Sequence, residues 1–128
     1  MGRKAVWLGL LCVSARLMAF DGGFPGHWEN RDSHTRNITS AEIRDDGGET
    51  KVHMWGACHP NPCDWGEGVL EGNSKTRHVR WTTSFSIKEQ TLKLGDGGQE
   101  LHVKTHTHFT DHSGRHDYTS NDVLLRKP

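Results

Sequence analysis

Two stretches of the chain alternate strictly between apolar and polar side chains. In Leu101-His-Val-Lys-Thr-His-Thr-His-Phe109, Leu101, Val103 and Phe109 share one face, and His102, Lys104, His106 and His108 share the other. In Val79-Arg-Trp-Thr-Thr-Ser-Phe-Ser-Ile87, residues 79, 81, 85 and 87 are apolar and the even positions are polar. A period of two is the mark of a half-buried β-strand. Shorter segments of strand-like composition run over 26–31, 37–44, 50–57, 67–72, 91–94 and 116–125. No window shows a helical period. Asp45-Asp-Gly-Gly48, Gly95-Asp-Gly-Gly98 and Asp111-His-Ser-Gly-Arg115 fall between such segments and predict tight turns. The pattern therefore predicts an all-β domain of about eight short antiparallel strands. A small up-and-down barrel is expected, because closure leaves no open edge; the alternative is a β-sandwich.

The first nineteen residues break this pattern. A basic start, Met1-Gly-Arg-Lys4, precedes the apolar run Ala5–Val13 and a more polar exit, Ser14–Ala19. That is the layout of a secretory signal peptide, too short in its apolar part to span a bilayer. The expectation is a leader over 1–19 and one β-domain over 20–128, secreted or periplasmic. The competing reading is a buried first element. Over the whole chain 16 basic side chains balance 16 acidic ones; losing Arg3, Lys4 and Arg16 leaves 13 against 16, a formal net of −3. Such a domain has no electrostatic footprint for nucleic acid or anionic lipid, and no other apolar run approaches membrane length.

Cys12 lies in the leader, so the mature chain keeps Cys58 and Cys63, within Trp55-Gly-Ala-Cys-His-Pro-Asn-Pro-Cys-Asp-Trp-Gly66. Three chemistries compete for this stretch. Structural zinc wants four ligands, and there is no second cysteine pair. A deaminase centre is suggested by His27-Trp-Glu29 and Pro62-Cys63, but Gly66 stands where the second cysteine belongs. The third chemistry is a disulfide that staples two strands. It suits an exported chain, two prolines that bend the intervening segment, and Trp-Gly pairs that pack rings over the bridge. The C-x4-C spacing argues against a redox pair.

Gly26-x-Trp28 on the first strand of an eight-stranded barrel resembles the opening of lipocalins and avidins, in which the Trp closes one end. The longer pattern is Gly26-x-Trp28-x-Asn30, Thr35-Arg-Asn-Ile38, the cysteine stretch, and His108-Phe-Thr-Asp-x-Ser-Gly-Arg-x-Asp-Tyr118. It resembles an uncharacterised family of small secreted β-domains and covers nearly the whole mature chain. The resemblance implies a fold and carries no activity.

Ten histidines in 128 residues are the main functional lure. His106 and His108 project from one strand, about 6.7 Å apart at the strand rise, within reach of one zinc or copper ion. His112 or His116 would supply a third ligand. Competing readings are a solvated outer face and a face that senses acidification. The barrel interior is expected to include Trp28, Trp81, Thr83, Thr105 and Thr107. These residues would either orient a small polar ligand or form core, with the threonines bonded to backbone. Trp28, Trp55, Trp65 and Trp81 would either stack on sugars or close the core. Asn37-Ile-Thr39 is a glycosylation acceptor in a eukaryotic host. Asp111 and Asp117, flanking Gly114-Arg115, read as turn chemistry and charge pairing. No nucleophile elbow, phosphate loop or dinucleotide signature is present. The chain thus predicts a non-enzymatic binding or interaction module for a small molecule, glycan or protein. The rivals are a metal-binding protein or metal-dependent hydrolase, and a purely structural domain.

Overall fold

A computed structural model describes residues 23–128; the expected leader over 1–19 lies outside the described residues. Eight antiparallel strands follow one another: β1 (Gly26–Asn30), β2 (Ile38–Asp46), β3 (Glu49–Gly56), β4 (Cys63–Val69), β5 (Thr76–Thr82), β6 (Ser86–Leu94), β7 (Glu100–Phe109) and β8 (Tyr118–Lys127). They form one sheet in the order β4-β3-β2-β1-β8-β7-β6-β5. This is a barrel and not a sandwich. In the middle of the sheet β1 joins its two halves, its Trp28 pairing with Ala41 of β2 on one side and Arg126 of β8 on the other. The seam between β4 and β5 is held by a single isolated bridge, Glu71 to His78, with N···O distances of 2.8 and 2.9 Å.

The glycine-rich turns fall where their composition places them. Gly47 and Gly48 take φ of 62° and 93° between β2 and β3, a left-handed region that admits few other residues. A short 3-10 turn, Asp96–Gly98, links β6 to β7.

Three expected strands are corrected, the one placed over 67–72 being β4, which begins earlier, at Cys63, and ends at Val69. The alternation over 79–87 is not continuous, because residues 83–85 turn the chain between β5 and β6. The expected strand at 91–94 is the far end of β6. The turn carries no glycine or proline. It is built by Thr83, whose Oγ1 accepts the amides of Phe85 and Ser86 at 3.3 and 3.0 Å, while the Thr83 amide donates to the Ser86 carbonyl at 2.9 Å. A hydroxyl that takes up two local amides replaces the backbone ladder with a turn. The turn also changes parity. Odd residues face inward on β5, with Val79 and Trp81 buried, and even residues face inward on β6, with Ser86, Gln90 and Leu92 buried. Thr83 itself is exposed in the turn, with its hydroxyl 2.9 Å from that of the buried Ser86, and Phe85 lies outside at 45% exposure.

The interior is graded along the barrel axis. Leu94, Leu101 and Leu124 face one another across β6, β7 and β8. One pair further along come Leu92, Val103 and Asp122; then Gln90, Thr105 and Ser120; then Lys88, Thr107 and Tyr118. Three adjacent strands therefore pass from aliphatic to polar at the same level. At the aliphatic end Phe24 and Trp28 are buried, and the Trp28 indole donates to the Phe24 carbonyl at 3.0 Å. The Arg126 guanidinium lies 4.3 Å over the Trp28 ring and donates to the carbonyls of Pro25 and Gly98.

A candidate binding site at the clipped mouth

The polar end of the barrel is shaped by the cysteine stretch. Cys58 and Cys63 are joined in a disulfide that closes the turn from β3 to β4, with Cα atoms 5.4 Å apart. Trp55 lies on the outer face and stacks on His53, with ring centroids 4.1 Å apart. The register slips between Met54 and Trp55, which pair with Gly66 and Asp64, so Trp65 is an unpaired extra residue. This is a β-bulge, and Gly66 supports it at a φ of 83°. Asp64 fixes it from outside by accepting the Gly66 amide at 2.7 Å and bonding the His53 ring at 2.6 Å. The Gly66 amide, followed by His53, holds the Asp64 carboxyl below the usual range. The bulge turns Trp65 inward, and its ring meets Trp81 edge-on at 5.8 Å. Gly56 makes room for it: a Cβ there would stand 2.6 Å from the Trp65 ring nitrogen.

Trp65 thereby forms one wall of a cavity of about 180 Å³. Thr105, Thr107, Ser120 and Tyr118 supply hydroxyls to the other walls. Lys88 reaches in from β6, and Arg36 and Asn37 approach from the segment before β2. The Lys88 ammonium donates to Thr107 Oγ1 at 3.2 Å and lies 5.6 and 6.0 Å from the Trp65 and Tyr118 ring centres. Behind this cavity the buried polar groups satisfy one another. The Trp81 indole donates to Gln90 Oε1 at 2.8 Å, and Gln90 Nε2 donates to Thr105 Oγ1 at 3.0 Å. Neither threonine is tied only to backbone, as the alternative reading had it.

The interior residues singled out from the sequence are thus divided. Thr105 and Thr107 line the mouth. Trp81 stands behind it, Trp28 is buried at the opposite end, and Thr83 sits exposed in the β5–β6 turn, bonded to Ser86. Asn37 is half-buried and lines the cavity. A larger cleft of about 670 Å³ lies at the other end, beside Phe24 and Arg77, where the described chain begins.

His106 and His108 are exposed on the outer face of β7. One carboxylate, Asp117, joins them: His106 Nε2 lies 3.2 Å from Oδ2 and His108 Nδ1 lies 2.7 Å from Oδ1. His108, followed by His106, lowers the Asp117 pKa. The expected partners, His112 and His116, do not complete a metal site with this pair: among the described residues no three His, Cys, Asp or Glu side chains are grouped to hold a metal. Asp111 accepts the Arg115 guanidinium at 2.7 Å; the Ser113 hydroxyl, followed by Arg115, draws its pKa down to about 2. Arg115 in turn lies 3.9 Å over the Phe109 ring.

Lys88, Arg36, Trp65 and Tyr118 did not emerge as a set from the alternation pattern. Lys88 falls on the polar parity of the supposed strand 79–87 once the Thr83 turn is overlooked. Trp65 faces inward only because of the bulge, whose signal was Asp-Trp-Gly itself. Comparisons of the chain with family models, with curated proteins and with solved structures return no match.

Proposed function

We propose that the protein is an exported, non-enzymatic binding module that takes a small ligand into the mouth beside the Cys58–Cys63 clip. Export is supported by the leader-like start and by the disulfide, which persists in oxidising compartments. One observation carries the binding reading. An ammonium group, Lys88, is directed into a concave, hydroxyl-lined mouth, where its one hydrogen-bond partner among the described residues is a neutral hydroxyl. Lysine has three donors and a costly desolvation, so a structural role would be better served by a carboxylate partner or an apolar side chain. The volume of about 180 Å³ lies below the usual range for drug-sized ligands and suits a molecule of few heavy atoms.

The test is a fragment screen by 1H–15N NMR with neutral, cationic and anionic fragments. Shift changes are expected at the Trp65 indole and at the amides of Lys88, Thr107 and Ser120. Changes confined to the outer face, or none with any fragment, would remove the binding reading.

A further inference from the structure

The ligand class follows from which charges surround the mouth. Two cations, Lys88 and Arg36, line the cavity with Trp65, Thr107 and Tyr118, and no aspartate or glutamate does. Ion pairing is common elsewhere on this barrel: Arg80 with Glu89 at 2.6 Å, Arg115 with Asp111 at 2.7 Å, Lys51 with Asp46 at 3.4 Å. Neither Lys88 nor Arg36 forms an ion pair among the described residues. The mouth therefore presents uncompensated positive charge in a chain whose expected mature domain is net negative.

We infer that the mouth takes a small organic acid, its carboxylate received by Lys88 Nζ and the Thr107 hydroxyl, with Arg36 adding charge at the rim. This rests on the mouth being a binding site. A carboxylate accepts several charge-assisted hydrogen bonds, and Lys88 has donors to spare. A cation would meet Lys88 and Arg36 with no acid to offset them. A neutral sugar would leave both charges unmatched. The organic body is required by the aromatic walls. Trp65 and Tyr118 offer ring surface on two sides, which an inorganic oxyanion would leave uncovered, and a planar apolar group would cover it.

The inference is tested on the full protein in an organic-buffered, low-salt solution, following the Trp65 indole resonance. The probes are benzoate, its neutral counterpart benzyl alcohol, and inorganic phosphate. Saturable shifts with benzoate, at least tenfold weaker in Lys88→Gln and in high salt, are expected, with benzyl alcohol and phosphate weaker by a similar factor. Thr107→Val is the second variant, keeping volume while removing the acceptor that orients Lys88; several-fold weaker benzoate binding is expected. Circular dichroism of each variant shows that the barrel is intact. Equal binding of benzyl alcohol and benzoate, unaffected by Lys88→Gln, would overturn the acid assignment and leave a neutral-ligand module. Preference for phosphate would overturn the organic component. No response to any probe would overturn both the inference and the reading beneath it.

Discussion

At the scale of single residues, environment decides what a side chain does more than its type. Asp111, Asp117 and Asp122 are the same carboxylate in different settings. Asp122 is buried beneath the aliphatic-to-polar boundary. Its Oδ1 accepts from Asn30 Nδ2 at 2.9 Å, and its Oδ2 is buried with no hydrogen-bond partner among the described residues. Desolvation raises its pKa, whereas the Ser113 and Arg115 donors take Asp111 down to about 2. The signs differ accordingly. Asp122 binds its proton more tightly folded than unfolded, so its unfavourable contribution is relieved as pH falls through its elevated pKa. Asp111 binds its proton more weakly folded, so its stabilising contribution is present above the unfolded value of 3.8 and is lost as pH falls toward about 2. In a carboxyl-detected NMR titration Asp122 is expected to protonate first, Asp117 below the ordinary range and Asp111 last. Asp122 titrating together with Asp111 would contradict this assignment.

At the scale of elements, short-range side-chain chemistry sets the exceptions to the alternating pattern. The β7 alternation was legible because ten residues run without interruption, and Thr105 and Thr107 were correctly placed inside. The β5–β6 hairpin was not legible. Thr83 and Ser86 make a turn without glycine or proline, and apolar Phe85 and Ile87 continue the false alternation across it. The cysteine stretch was legible as a clip because the two-cysteine count and the proline-rich C-x4-C spacing agreed. Its consequence, a bulge that swings Trp65 inward, depends on pairing with β3 that no local pattern records. Closing the six-residue span Cys58–Cys63 contributes about 2 kcal/mol by the chain-entropy relation. Cys58→Ser with Cys63→Ser is expected to lower stability by about that amount in urea, with the β-type circular dichroism retained and the Trp65 indole resonance shifted. An unchanged urea midpoint and an unmoved resonance would show that the clip neither stabilises the barrel nor shapes the mouth.

At the scale of the whole molecule, the two ends of the barrel differ in the chemistry of their linings. Trp28, Phe24 and Arg126 pack together at the aliphatic end, and β1, only five residues long, ties β2 to β8. Polar rows on β6, β7 and β8 lead to the clipped mouth. The parity change at Thr83 places Lys88 in the mouth; without it Lys88 would face solvent and Ile87 would face the core. The most direct measurement is a 13C-edited NOESY spectrum of the side chains around β6. Cross-peaks are expected from the Lys88 ε-methylene to the Trp65 and Tyr118 rings and to the Thr107 methyl, with Ile87 lacking contacts to the interior. Cross-peaks placing Ile87 against Trp81 and Thr107, with Lys88 on the outer face, would contradict the account.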